Sequence, residues 1–315
     1  MDKINWYPGH MKKTRELIQS NMKMVDLVVE VIDSRIPVAS RNPILPELIG
    51  EKPEIIVLNK TDLSDSSETS AWVRALNSKT VTAIPCDCER GQGTKRLLEE
   101  LDKANANRNS TKKWDRPLRM MIVGVPNVGK SSLINRLTRR KAAKTGDKPG
   151  VTRGKQWLTL ENGMQLLDTP GILWPNIEDQ EQGRHLAFCG AIKDEIYDIS
   201  ELCLEFIKFM LAEHKDMLYA RYKLEAPAGA DTAEEDEDDS IWGEAEAENL
   251  CTDGITPVSE GGEYTPLGAM EQIARNRGFI MPGKRIDYER CARTVLDEFR
   301  AGKIGLITLE HAAKK

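Results

Sequence analysis

Apolar positions along this chain fall into two regimes. Up to about residue 168, short β-branched or aliphatic runs alternate with stretches of helical spacing; beyond roughly Asp179 only helical spacing is left. Met11 to Met24 has helical spacing, and Val25 to Asp33 reads as a buried strand. Glu54 to Leu58 is a second strand, Ser67 to Asn77 a helix, Thr80 to Ile84 a third strand and Gly93 to Ala106 another helix. Asn107 to Pro117 is polar and basic and reads as a connector. Leu118 to Val123 is a strand, Lys130 to Thr138 a helix, and Gln156 to Leu160 and Met164 to Leu167 are strands joined by an Asn162-Gly163 turn. Alternation of this kind predicts an α/β domain with a mostly parallel sheet and helices on both faces.

In the second regime Glu201 to Arg221 reads as one long helix, and Pro266 to Gly278 and Tyr288 to Ala301 as amphipathic helices. Residues 1–178 are expected to form the α/β domain and 179–315 a small all-α domain, with an acidic flexible loop near 227–265. The net charge of −5 hides an asymmetry: Asp231 to Glu263 holds 13 acidic and no basic residues, and without it the chain is +8. Thr265 to Lys315 holds ten basic and six acidic residues. A basic body suits a polyanion such as RNA as well as it suits an ordinary lysine-rich surface. No segment approaches the roughly 20 apolar residues of a membrane span, and residues 1–15 lack an apolar signal core. Six scattered cysteines fit reduced thiols in a cytosol. Neither the His185/Cys189 pair nor the Cys86/Cys88 pair completes a zinc set, so no zinc is expected.

Candidate chemistry sits where strands end. Gly124-Val125-Pro126-Asn127-Val128-Gly129-Lys130-Ser131-Ser132 follows a strand and opens a helix, as a phosphate-binding loop requires. Its backbone N–H groups and the helix N-terminus suit phosphate, Lys130 the β- and γ-phosphates, and Ser131 a magnesium ion. Asp168-Thr169-Pro170-Gly171 ends a later strand. There Asp168 can hold magnesium directly or through water, and Gly171 can offer its N–H to a γ-phosphate. Thr152, in the Pro149–Gly154 segment between these motifs, stands where a switch threonine would close on magnesium. Arg136 to Lys155 holds eight basic residues and one acidic, enough to clamp nucleotide, RNA or both, or simply to be a solvated loop.

Asn59-Lys60-Thr61-Asp62 ends the second strand. Asp62 can accept hydrogen bonds from two neighbouring guanine donors that adenine lacks, and a site built for such bonds rejects the analogue strongly. Lys60 would lie across the base and Asn59 would tie this loop to the phosphate loop. Asp87 and Cys88, after the third strand, occupy the expected place of a backbone contact to the guanine oxygen. The base motif precedes the phosphate motif, the reverse of the ordinary order, so the domain reads as circularly permuted. The cut places the all-α domain just behind the Asp168 switch, where loss of a γ-phosphate could be felt.

With these residues in view, the chain resembles the circularly permuted GTPases of the ribosome biogenesis GTPase A (YlqF) family. The resemblance covers nearly the whole length. It includes Trp6-Tyr7-Pro8-Gly9-His10-Met11, Asp33-Ser34-Arg35-Ile36-Pro37, the Asn59, Gly124 and Asp168 motifs, and Arg277-Gly278. It implies a cytoplasmic GTPase that binds GTP and GDP with magnesium, assists late assembly of the large ribosomal subunit, and binds ribosomal RNA through a helical C-terminal domain. A monomer is the default. Signalling GTPases place a water-orienting glutamine just after the Asp-x-x-Gly switch, but here that residue is Ile172. The resemblance offers His10 as the catalytic replacement, against the plainer reading of a surface histidine. It also offers Asn127 as a potassium ligand, against a residue serving turn geometry alone. Three functions compete: an assembly GTPase stimulated by the large subunit, a GTP-gated RNA-binding switch with negligible turnover, and an ATPase or kinase, against which Asp62 argues.

Overall fold

The computed structural model describes residues 16, 19–111, 116–138, 156–168, 179–225 and 263–313. His10, Thr152, Gly171 and nearly all of the acidic 231–263 stretch lie outside the described residues. In chain order the first elements are β1 (Leu27–Asp33), α1 (Leu45–Ile49), β2 (Glu54–Asn59), α2 (Ser66–Leu76) and β3 (Val81–Pro85). Next come α3 (Thr94–Thr111), β4 (Arg119–Val123), α4 (Lys130–Thr138), β5 (Gln156–Thr159) and β6 (Gln165–Asp168). The remaining described elements are helical: α5 (Gln180–Phe188), a 3-10 turn at Asp194–Ile196, α6 (Ile199–Glu213), α7 (Lys215–Tyr222), α8 (Pro266–Arg277) and α9 (Tyr288–Arg300).

The six strands form one sheet in the order β3-β2-β1-β4-β6-β5. Every neighbouring pair is parallel except β5–β6, which the turn at Gly163 (φ 79°) joins as a hairpin. All seven residues of β1 are buried, so both faces of the central strand are covered, which explains its unbroken apolar reading. The chain passes from β1 outward through β2 to β3, then returns to lay β4 on the other side of β1. Strand order therefore reverses between β1 and β4, and in open α/β sheets ligands bind beyond the C-terminal strand ends at such a point. The loops after β1, β2, β3 and β4 open on that edge, where β6 also ends, because these strands run parallel.

The chain divides into two compact units, residues 1–196 with 299–315, and residues 197–298. This division differs from the expected boundary at 179 in two ways. Helix α5, with Leu186 and Ala187 buried, belongs to the first unit, and the C-terminal residues return to it. Helical periodicity shows that a face is apolar but not which surface that face covers. This division also moves charge. Residues 197–298 hold 24 acidic and 10 basic residues, 13 of the acidic ones in the 231–263 stretch, while Arg300, Lys303, Lys314 and Lys315 lie in the first unit. The second unit is net −14, or −1 without that stretch, and the first net +9.

Two smaller expectations change as well. The single helix over 201–221 breaks at His214 (φ −139°, ψ 37°), separating α6 from α7. Residues 107–111, read as connector, continue α3, where Arg108 donates to Asp26 at 2.8 Å and to the Arg116 carbonyl at 2.7 Å. These long-range bonds override the weak helix propensity of asparagine, serine and threonine. Among the described residues no helix is long and apolar enough to cross a membrane.

Candidate functional site

At the end of β4 the backbone turns through Gly124 (φ 153°) and Asn127 (φ 61°) to Gly129 (φ 96°), where α4 begins. Both glycines are sterically required. A Cβ on Gly124 would stand 2.3 Å from the Val31 carbonyl oxygen, and one on Gly129 would stand 2.1 Å from Asn59 Nδ2. Lys130, the first residue of α4, is buried and donates from Nζ to the Val125 carbonyl at 2.7 Å. The ammonium thus sits inside the curl of the loop, beside the N-terminus of a helix whose first turn carries no acidic side chain. That is an anion-binding arrangement. Ser131 and Ser132 follow in the same helical turn and are half-buried.

Asn59 joins three loops. Its Nδ2 donates to the Val128 carbonyl at 2.6 Å and its Oδ1 accepts the Cys88 N–H at 2.9 Å. The base motif, the phosphate loop and the loop after β3 are held by one buried side chain. Lys60 adopts a left-handed backbone (φ 64°), and its Nζ lies 3.0 Å from Asp33 Oδ2. Thr61 donates its N–H to the Cys86 carbonyl at 3.2 Å. Asp62 is paired with Arg90 at 3.2 Å, a contact whose arginine side chain is 67% exposed, so solvent keeps the pair weak.

The loop after β3 departs from expectation. Asp87 donates its N–H to the Gln92 carbonyl at 3.1 Å, and the Cys88 N–H is spent on Asn59. Both N–H groups are engaged within the chain in this conformation, so the expected contact of one of them with a guanine oxygen requires a change of partner. The next two, Glu89 and Arg90, both donate to Asp87 Oδ1 at 3.0 Å. Burial pushes the neighbouring thiols up, Cys86 to about 12 and Cys88 further, so both act as small buried hydrophobes rather than reactive thiolates.

Asp168 ends β6, and its backbone pairs in register with Ile122 of the phosphate-loop strand. This places it on the same sheet edge as Ser131, and hydroxyl and carboxylate oxygens are the donors that suit magnesium. Among the described residues no group of three or more His, Cys, Asp or Glu side chains is arranged to hold a metal alone. A hard cation shared with nucleotide phosphates needs no such cage. Asn127 donates from Nδ2 to the Gly190 carbonyl at 2.7 Å, which fixes its rotamer.

Two residues of the site had no assigned role in the sequence. Asp33, buried at the end of β1, accepts Arg35 Nε at 2.9 Å and Arg35 Nη2 at 2.7 Å besides facing Lys60. Burial alone would raise its pKa, but the Arg35 and Lys60 charges override this and hold the carboxyl far below the usual range. The available signal was position: a carboxylate at the end of the strand neighbouring the base-motif strand.

Residues 119–221 match the family model described as 50S ribosome-binding GTPase. The chain is 38% identical to ribosome biogenesis GTPase A of Bacillus cereus, covering 98% of this chain and 93% of that one. It is 33% identical to mitochondrial ribosome-associated GTPase 1 of Mus musculus, covering 98% and 91%. Its fold is similar to GNP-bound YlqF from T. maritima, with TM-score 0.60 and 26% identity over 96% of this chain and 100% of that one. The GDP-bound structure gives TM-score 0.56 at 27% identity, covering 94% and 98%. With its base motif ahead of its phosphate motif, this chain belongs to the ribosome biogenesis GTPase A family and is a GTP-hydrolysing enzyme.

Proposed function

We propose that this GTPase acts in the cytoplasm as a monomeric assembly factor for the large ribosomal subunit, which stimulates its turnover. Asn59, Lys60, Thr61 and Asp62 take the guanine, and Asn127, Val128, Gly129, Lys130, Ser131 and Ser132 take the phosphates. The observation that carries the nucleotide assignment is the Asn59 junction, which brings base motif and phosphate loop within one hydrogen bond, 2.6 Å, across 69 residues.

In this reading Lys130 and the α4 N-terminus neutralise charge on the β- and γ-phosphates, and Gly171 offers its N–H to the γ-phosphate. Ser131, Thr152 and Asp168 would hold magnesium, which supplies further charge neutralisation at the transferring phosphoryl group. His10 orients the attacking water in place of the missing glutamine. Asn127 would present its amide oxygen to potassium, a role supported by the rotamer its bond to Gly190 sets.

Ribosomal RNA is the proposed polyanionic partner. The helical C-terminal domain is the proposed contact, and the first unit, which carries the net positive charge, adds long-range attraction. The test of the nucleotide assignment is competition. GDP should displace a fluorescent guanine nucleotide and ADP should not, and Asp62→Asn should transfer preference to a xanthine nucleotide. Equal displacement by ADP would remove the guanine assignment.

A further inference from the structure

We infer that residues 304–312, the strap that follows α9, position the guanine loop, with Glu310 as the positioning residue. This deepens the reading that Asn59 to Asp62 bind guanine and rests on it. After α9 the chain turns at Gly302 (φ 68°) and runs on without a helix or strand. Even so, Ile304, Ile307, Thr308, Leu309 and Glu310 are all buried. Buried irregular chain must find backbone partners elsewhere. Here those partners flank the guanine machinery.

One set lies just past the guanine loop. Ile307 donates its N–H to the Leu63 carbonyl at 3.2 Å, and Asp65 donates its N–H to Thr308 Oγ1 at 3.1 Å. Trp72 Nε1 donates to the Glu310 carbonyl at 2.8 Å. Leu63 in turn donates its N–H to the Lys60 carbonyl at 2.9 Å, which closes the turn that carries Thr61 and Asp62. The other set lies just past Asp33. Leu309 donates its N–H to the Arg35 carbonyl at 2.8 Å. The Glu310 carboxylate accepts the Ala39 N–H at 3.0 Å and the Val38 N–H, and meets His185 Nδ1 at 3.1 Å.

The two sets converge on Lys60. Asp33 faces the Lys60 ammonium, while Ser34 donates its N–H to the Asn59 carbonyl at 2.8 Å and its hydroxyl to Ser64 Oγ at 2.9 Å. Segments 33–40 and 60–69 are thus two walls of the guanine loop, and the strap is bonded to both. Without Glu310 the Val38 and Ala39 N–H groups and His185 lose a common charged acceptor. The wall that carries Asp33, and through it Lys60, then loosens.

The experiment compares GDP with IDP, which lacks the exocyclic amine that Asp62 would read, in the full-length protein. The ratio of the IDP to the GDP dissociation constant reports the base loop and cancels phosphate contacts. Glu310→Ala and Thr308→Val should each lower this ratio by about threefold or more, and Glu310→Asp should restore part of it. Asp62→Ala calibrates the floor, and Leu97→Ala, in the buried core face of α3, controls for general loss of stability. An unchanged ratio in both strap variants while Asp62→Ala lowers it overturns the strap proposal alone. An unchanged ratio in Asp62→Ala overturns the guanine assignment and the strap proposal with it. An equal fall in Leu97→Ala overturns the specific role of the strap.

Discussion

Asn59 Nδ2 donates to the Val128 carbonyl at 2.6 Å, so the residue that opens the base motif also fixes the residue before the last glycine of the phosphate loop. The amide oxygen is used too, by the Cys88 N–H. Asn59→Ala would leave two buried backbone groups unpaired, each costing about 1–3 kcal/mol. GDP affinity should fall by about tenfold or more, because both halves of the site lose their common anchor. Titration of GDP into the variant checks this, and wild-type affinity would show that the loops hold themselves.

Asp33 lies between two cations. Removing its charge leaves a buried Arg35 uncompensated, which typically costs about 3–5 kcal/mol. Asp33→Asn should lower the denaturant midpoint accordingly. The Asp33→Asn/Arg35→Met double variant should lose less than the sum of the single variants. Because the folded pKa of Asp33 is depressed, its contribution is fully present above about pH 4 and is lost as pH falls toward the folded value. The gap between wild type and Asp33→Asn should therefore narrow on acidification.

Glu30 titrates in the opposite direction. It is buried in β1, and burial pushes its pKa up to about 7 although Arg41 Nε donates to it at 2.9 Å and opposes the shift. A carboxyl with a raised folded pKa holds its proton longer when folded than when unfolded. Its contribution to stability therefore falls as pH rises from the ordinary carboxylate range through about 7. Glu30→Gln should flatten this slope. Melting temperatures at pH 5 and pH 8 test it: the wild type should lose more than the variant between the two.

Asp62 and Arg90 separate a strong effect from a weak one. An exposed ion pair contributes about 0–1 kcal/mol, so Arg90→Ala should change GDP affinity by less than about fivefold. Asp62→Ala would remove the two hydrogen bonds proposed to read the base and should cost about a hundredfold or more. Effects of similar size in the two variants would move base recognition from the carboxylate to the guanidinium.

Much of this site was legible because phosphate and guanine recognition demand particular residues at strand ends. The Gly124-to-Lys130 loop can only turn where the sequence puts glycine, and the element starting at Lys130 spans the residues expected of it. The strap was not legible. Residues 304–312 carry no period of 2 or 3.6, and several of their bonds reach 240 residues or more back along the chain, as from Thr308 to Asp65 and Leu309 to Arg35. The break at His214 was hidden for a related reason, since apolar spacing continues across it from Met210 to Leu218. The hydrogen bonding of the loop after β3 was not legible, because the partners of its successive N–H groups depend on where Asn59 and Asp87 point, which spacing does not encode.

The most direct test of the account is GTP turnover with and without purified large ribosomal subunits, in potassium buffer. The account predicts strong stimulation that His10→Ala abolishes while GDP binding persists. Unchanged turnover with GTP still bound would contradict it, leaving a guanine-nucleotide switch with a different partner.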